Sequence, residues 1–233
     1  NRIKDGEYTF NNLKYKLQCN EIDKNNALHG FVYNKPFEVI DSVTTQEYAS
    51  LTLLYRDDGK TEGFPFKFNI ELTYRLDKNG IILSIKVVNN DKSSFPFNIG
   101  WHPYFYSKNF DKSALNFKSD TKYVYDAQQI ISGTTALDVE MPFQLKDVKL
   151  DTGYLLTTNE IKFSTPEYNL NISSNSKDFF LQLYTPDDQN IIAIEPMTGA
   201  ADNFNNEIGL QTLQPNETYD VKWCVSIETL TLK

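Results

Sequence analysis

An all-β fold, a sandwich or a barrel, is what this sequence predicts, and three observations carry the prediction. From Phe66 to Leu76, the residues Phe66, Phe68, Ile70, Leu72, Tyr74 and Leu76 alternate with Lys67, Asn69, Glu71, Thr73 and Arg75. That two-residue period belongs to a strand with one buried and one solvated face. Short runs of the same kind recur along the chain between Gly, Pro and Asn turns, as in sandwiches and barrels. No stretch of helical length carries a 3.6-residue apolar period. The 16 Phe and 14 Tyr add to the case, because aromatic side chains suit half-buried pleated surfaces. The 233 residues fit one large all-β domain, so 1–233 is read as a single unit.

The elements follow in order. Tyr8-Thr9-Phe10 and Leu13 to Leu17 flank Asn11-Asn12, a tight hairpin, since Asn tolerates positive φ. Asn20 to Asn26 is polar and loop-like. In Ala27-Leu28-His29-Gly30-Phe31, Gly30 permits a sharp turn beside His29. Phe37 to Val43 and Glu47 to Tyr55 read as strands, and Arg56 to Lys60 as a turn. After Phe66 to Leu76, Asp77 to Gly80 turns the chain and Ile81 to Val88 runs back. Phe95, Phe97, Ile99 and Trp101 then alternate onto one face, leaving Pro96, Asn98, Gly100 and His102 on the other. Pro103 ends that strand, because it cannot donate to a ladder and holds His102 extended. Lys118 to Tyr125, Ile161 to Phe163, Tyr168 to Ser173 and Phe179 to Tyr184 are further strands. Ile191 to Glu195 is an apolar strand stopped by Pro196. Met197 to Leu213 is a long connection, and Val221, Trp223, Val225 and Ile227 alternate in a last strand.

Charge and motif content exclude several functions. The net charge is −8 with no basic cluster, which argues against nucleic acid and anionic membranes as partners. No apolar run approaches the ~20 residues of a membrane span. There is no phosphate-cradling glycine loop and no G-x-S-x-G nucleophile elbow. The two histidines, His29 and His102, lack metal-ligand spacing, so neither metal nor cofactor is expected. Cys19 and Cys224 form no redox motif. A disulfide would require the chain ends to pair, and two reduced thiols in a cytoplasmic protein are the expectation.

Two residues break strand logic. Glu195 closes the run Ile191-Ile192-Ala193-Ile194, where an unpaired buried carboxylate is expensive. His102 ends a strand in the same way, and both precede a proline. A carboxylate and an imidazole, with ordinary pKa values of about 4.3 and 6.5, can accept and donate a proton near neutrality. A strand-end Glu and an incidental surface His remain the simpler alternative for each residue alone.

Four fragments in order carry a family resemblance: Asn1-Arg2-Ile3 with Gly6, Leu28-His29-Gly30-Phe31, Gly100-Trp101-His102-Pro103-Tyr104-Phe105 and Ala193-Ile194-Glu195-Pro196-Met197-Thr198-Gly199. Together they resemble the aldose 1-epimerase, or galactose mutarotase-like, family across essentially the whole chain. The resemblance implies that family's fold, a large antiparallel β-sandwich with a sugar cleft on one sheet. It implies interconversion of the α and β anomers of an aldohexose, with Glu195 as base and His102 as acid, about one sugar ring apart. Arg2, His29 and Asp151, the last in Leu150-Asp151-Thr152-Gly153-Tyr154, would bind the sugar. Trp101 or a nearby Tyr could offer a stacking face, although Trp101 falls on the core side. The partner implied is a small-molecule sugar, and the protein a monomer or homodimer. Gly100-Trp101-His102-Pro103 looks closer to the bacterial branch that includes hexose-6-phosphate epimerases. Phosphate recognition favours clustered arginines, and with only Arg2, Arg56 and Arg75 present an unphosphorylated aldose is expected. A sugar-binding sandwich without turnover and a hexose-6-phosphate 1-epimerase are the alternatives. Family members usually carry further strands ahead of the Asn-Arg motif; if such a segment is absent, a sheet edge is exposed and Arg2 sits on a frayed end.

Overall fold

Residues 1–187 and 190–230 are described by the computed structural model. The alternating runs pair into two large antiparallel sheets. The nine-stranded sheet runs, edge to edge, Phe143–Gln144, Ala114–Asn116, Glu160–Ser164, Tyr168–Ser174, Thr218–Thr229, Gly80–Asn89, Lys67–Asp77, Tyr48–Asp58 and Glu38–Thr44. The six-stranded sheet runs Tyr104–Tyr106, Ile191–Met197, Phe179–Tyr184, Asp151–Leu156, Thr121–Tyr125 and Ile131–Ala136. Leu181, Leu183, Ile192 and Ile194 from the smaller sheet pack on Ile161, Phe163, Leu170, Ile172 and Val225 from the larger. The fold is the predicted sandwich, with apolar side chains of two inner faces meeting in one layer.

The smaller sheet covers only part of the larger. The remainder is roofed by the N-terminal segments, where Ile3, Tyr8, Leu17 and Ala27 join Phe68, Ile85, Val87 and the wholly buried Trp223. Trp101 packs against both apolar clusters and so sits at the junction of the two covers. Among the described residues, no helix is long and apolar enough to cross a membrane. Cys19 and Cys224 are free thiols.

The Asn11-Asn12 hairpin forms as predicted, with φ of 50° and 62° at the two asparagines and Glu7–Phe10 paired to Leu13–Lys16. Other boundaries differ for identifiable reasons. Arg56 is inside a strand, not a turn, because pairing with the neighbouring strand continues to Asp58 opposite Lys67. The turn begins only where Asp57 accepts from Gly59 N and Thr61 Oγ1. Regular pairing after Phe95 stops at Phe97. Pro196 does not stop its strand, which continues to Met197. In an antiparallel strand the N–H and C=O of one residue face the same neighbour. The Pro196 carbonyl accepts from Trp101 N at 3.1 Å, so its missing donor faces the irregular segment, where no ladder is lost.

Arg2 is not frayed. Arg2–Lys4 pairs with Asn26–Leu28 and is clamped from the distant end of the chain by buried Asp202. Asp202 N donates to Arg2 O at 2.7 Å, and Lys4 N donates to Asp202 Oδ1 at 2.9 Å. Asp202→Ala is expected to destabilise the fold by about 1–3 kcal/mol, because it strands the Lys4 donor. Denaturant titration measures the loss, and amide exchange should show faster exchange at Lys4.

Candidate functional site: a buried carboxylate–imidazole pair

Register creates the central feature of the site. Tyr104 lies opposite Ala193, and Gly100 makes an isolated bridge to Met197. Carrying that register through places His102 opposite Glu195, as cross-strand neighbours. The backbone between them is held by Trp101 N donating to Pro196 O and Ile194 N donating to Pro103 O. Accordingly, His102 Nε2 lies 3.3 Å from Glu195 Oε1. This corrects the expected spacing of one sugar ring, because cross-strand partners are too close to hold a ring between them. Glu195 is mid-strand and only 6% exposed, while the His102 side chain keeps 33% of its surface open.

The residues around the pair arrive from separate parts of the chain. His29 adopts a left-handed backbone, φ 61°, followed by Gly30 at 64°. That turn aims its ring edge-on at His102, with centroids 5.4 Å apart. Arg2 lies in the strand beside it, and Asn1, Arg2, His29, His102 and Glu195 line one cavity of about 650 Å³. The far wall of this cavity is apolar, with Phe31, Phe68 and Phe97 among its residues. Asn98, also at the cavity, has its amide bonded within the protein, donating to Gly199 O and accepting from Thr198 Oγ1. Gly100 makes room for Met197, whose Cγ would lie 3.3 Å from any added Cβ.

Asp151 shares the outer face of the six-stranded sheet with Glu195, two strands away across Gln182. It is exposed, and Gln182 Nε2 donates to its Oδ1 at 2.7 Å. Tyr125 Oη donates in turn to Gln182 Oε1 at 3.2 Å. Gly153 makes this chain of bonds fit, since a Cβ there would meet Tyr125 Oη at 2.5 Å and Gln182 Oε1 at 2.9 Å. Sequence reasoning missed both Gln182 and Tyr125. The signal for Gln182 was present, a lone amide in Phe179-Phe180-Leu181-Gln182-Leu183-Tyr184. Tyr104, half exposed, lies against His102 with ring centroids 5.0 Å apart, so a tyrosine and not Trp101 offers the free aromatic face.

Electrostatics separate the groups. Burial pushes the Glu195 carboxyl up to about 7, with Asp151 adding to the rise and Arg2 opposing it. Burial lowers the His102 imidazole. His29 is driven further, to about 4, by burial and by neighbouring positive charge that includes His102 and Arg2. At neutral pH, His29 is therefore a neutral hydrogen-bonding ring. Because Glu195 and His102 touch, their protons belong to the pair.

The chain matches the family model described as Aldose 1-epimerase over residues 1–225. It belongs to the aldose 1-epimerase family. A relative 22% identical over 231 residues is the uncharacterized protein YihR of Escherichia coli (strain K12), with 94% of this chain and 73% of YihR covered. A galactose mutarotase-like protein from Clostridium acetobutylicum is similar in structure at a TM-score of 0.88 and 20% identity, over 99% of this chain and 77% of that one. A galactose 1-epimerase from Lactobacillus acidophilus NCFM gives a TM-score of 0.78 at 18% identity, over 99% and 77% of the two chains. The galactose mutarotase-like fold is thereby established for this member of the family.

Proposed function

We propose that this aldose 1-epimerase family member interconverts the anomers of an unphosphorylated aldohexose, with Glu195 as general base and His102 as general acid. The observation that carries the reading is the 3.3 Å contact between the two side chains at the wall of an open cavity. The anomeric O1 and the ring O5 are bonded to the same carbon, so groups serving them must lie side by side. A sugar placed over the pair presents O1 to Glu195 and O5 to His102. The carboxylate takes the O1 proton, the C1–O5 bond breaks, and the imidazolium protonates O5. The products are the open aldehyde, a protonated Glu195 and a neutral His102. Rotation about C1–C2 exposes the other carbonyl face, and the reverse transfers close the ring. The pair ends with the proton count it began with, so turnover needs no proton from solvent. A base titrating at about 7 is matched to this task near neutral pH.

Arg2, His29 and Asp151 are assigned to sugar binding, with Gln182 orienting Asp151 and Tyr104 offering its ring to an apolar sugar face. The arginine inventory supports an unphosphorylated substrate. Arg56 pairs with Glu38, Arg75 lies over the Tyr48 ring, and both are on the nine-stranded sheet. Among the described residues, Lys35 is the one lysine lining the cavity.

Polarimetry or NMR exchange with freshly dissolved α-glucose, α-galactose and their 6-phosphates tests the proposal. Enzyme-dependent anomer exchange on the free sugars is expected. Exchange no faster than the buffer blank across the panel would overturn it, and a sugar-induced rise in melting temperature without exchange would identify a binding protein instead.

A further inference from the structure

The Arg2 guanidinium reaches the cleft with one edge already occupied. Nε donates to Glu21 Oε2 at 2.8 Å and Nη2 to Glu21 Oε1 at 2.9 Å, a bidentate fork that fixes a plane as well as a distance. The pair is largely sheltered, with side-chain exposures of 16% for Arg2 and 10% for Glu21, unlike an exposed surface bridge. Glu21 is itself held. Asn26 Nδ2 donates to its Oε2 at 2.9 Å, and Lys24 Nζ lies 3.3 Å from Oε1. Asn26 is fully buried and also donates to Gln128 O at 2.7 Å. Gln128 follows the Thr121–Tyr125 strand, so the assembly is tied to the sheet that carries Glu195. Neither Glu21 nor Asn26 lines the cavity.

We propose that Glu21 is a positioning residue for the sugar reaction, holding the Arg2 guanidinium in one orientation at the cleft and offsetting its charge toward Glu195. This rests on the epimerase reading above. Arginine has a long, rotamer-rich stem, and without a partner its fork would sample several directions. With Nε and one Nη2 hydrogen committed to Glu21, the donors of Nη1 remain for a sugar oxygen. The charge effect has a defined sign. The groups that act on Glu195 are His102, Tyr104, Asp151, Arg2 and the amino group of Asn1. Glu21 is the carboxylate bonded to Arg2, and Lys24 is its second cationic neighbour. Removing the Glu21 charge leaves Arg2 and Lys24 less balanced, which favours the Glu195 carboxylate. The acid limb of the activity profile should therefore move to lower pH.

The test compares wild type, Glu21→Gln, Arg2→Ala and the double variant, using anomer exchange on free hexose from pH 5 to 9 and the ¹⁵N–¹H signal of Arg2 Nε. Glu21→Gln should lower kcat/KM roughly 10- to 100-fold, shift the acid limb downward, and broaden the Arg2 Nε–H signal. On the Arg2→Ala background, the same substitution should have little further effect on kcat/KM. Glu21→Asp, which keeps the charge at shorter reach, should restore the acid limb while leaving kcat/KM reduced. An unchanged pH profile in Glu21→Gln, or losses that simply add in the double variant, would overturn the proposal. Should wild type itself show no anomer exchange, the epimerase reading falls. The Arg2 Nε–H signal then decides the positioning role alone: sharp in wild type and broadened in Glu21→Gln upholds it, and identical signals reject it.

Discussion

Glu195→Gln is expected to lower anomer exchange roughly 100- to 10,000-fold while making the protein more stable at pH 8. The two effects have one cause. The carboxyl is buried mid-strand with its face toward the cleft, and burial raises it to about 7 from the ordinary 4.5. A group with a raised folded pKa stabilises fully below its unfolded pKa, and that contribution is lost as pH rises through the folded value. Between about 4.5 and 7, the unfolded chain releases this proton and the folded protein keeps it. Stability therefore falls across that window and levels off above it. At 1.36 kcal/mol per unit, the penalty in wild type at pH 8 is about 3 kcal/mol. Glutamine never ionises, so the variant escapes the penalty and, on the proposed mechanism, lacks the base. Urea titrations at pH 4.5 and pH 8 measure it. The variant should match wild type at the lower pH and exceed it at the higher. An equal stability difference at both values would show that Glu195 is not held protonated by burial.

This coupling also explains how much could be read without coordinates. Residue type and period identified the sandwich, because Phe66 to Leu76 and Val221 to Ile227 each repeat a two-residue burial pattern that one sheet face enforces. Glu195 stood out because an apolar run does not end in a carboxylate without consequence. Its contact with His102 was not legible, since it depends on the register between two strands 93 residues apart in sequence, a relation that no local pattern encodes. The strand boundaries at Arg56 and Pro196 were missed for the same reason. Local turn chemistry gave way to ladder pairing at Arg56, and Pro196 was tolerated because of which neighbour its nitrogen faces. Glu21 and Gln182 bond to partners 19 and 31 residues away, so their side chains are ordinary in sequence and defined only by what they hold.

His102→Asn is the second large effect, an expected loss of roughly 100-fold or more in kcat together with a change in the shape of the pH profile. Wild type should show a bell. Activity requires the Glu195–His102 pair to hold one proton, carried by His102 in the reacting form. A second proton at low pH occupies the base, and loss of the shared proton at high pH empties the acid. Asparagine keeps a polar side chain opposite Glu195 but cannot deliver a proton to the ring oxygen. Residual turnover in the variant should then retain the acid limb, assigned to Glu195 in the proposed mechanism, and lose the alkaline one. His29 cannot take over. Its ring centroid is 5.4 Å from that of His102, and its pKa of about 4 leaves it neutral wherever the base is ionised. Initial exchange rates from pH 5 to 10 would decide the matter. An alkaline limb that survives in His102→Asn would assign the acid to another group, and Tyr104, beside both His102 and Glu195, would be the first residue to substitute.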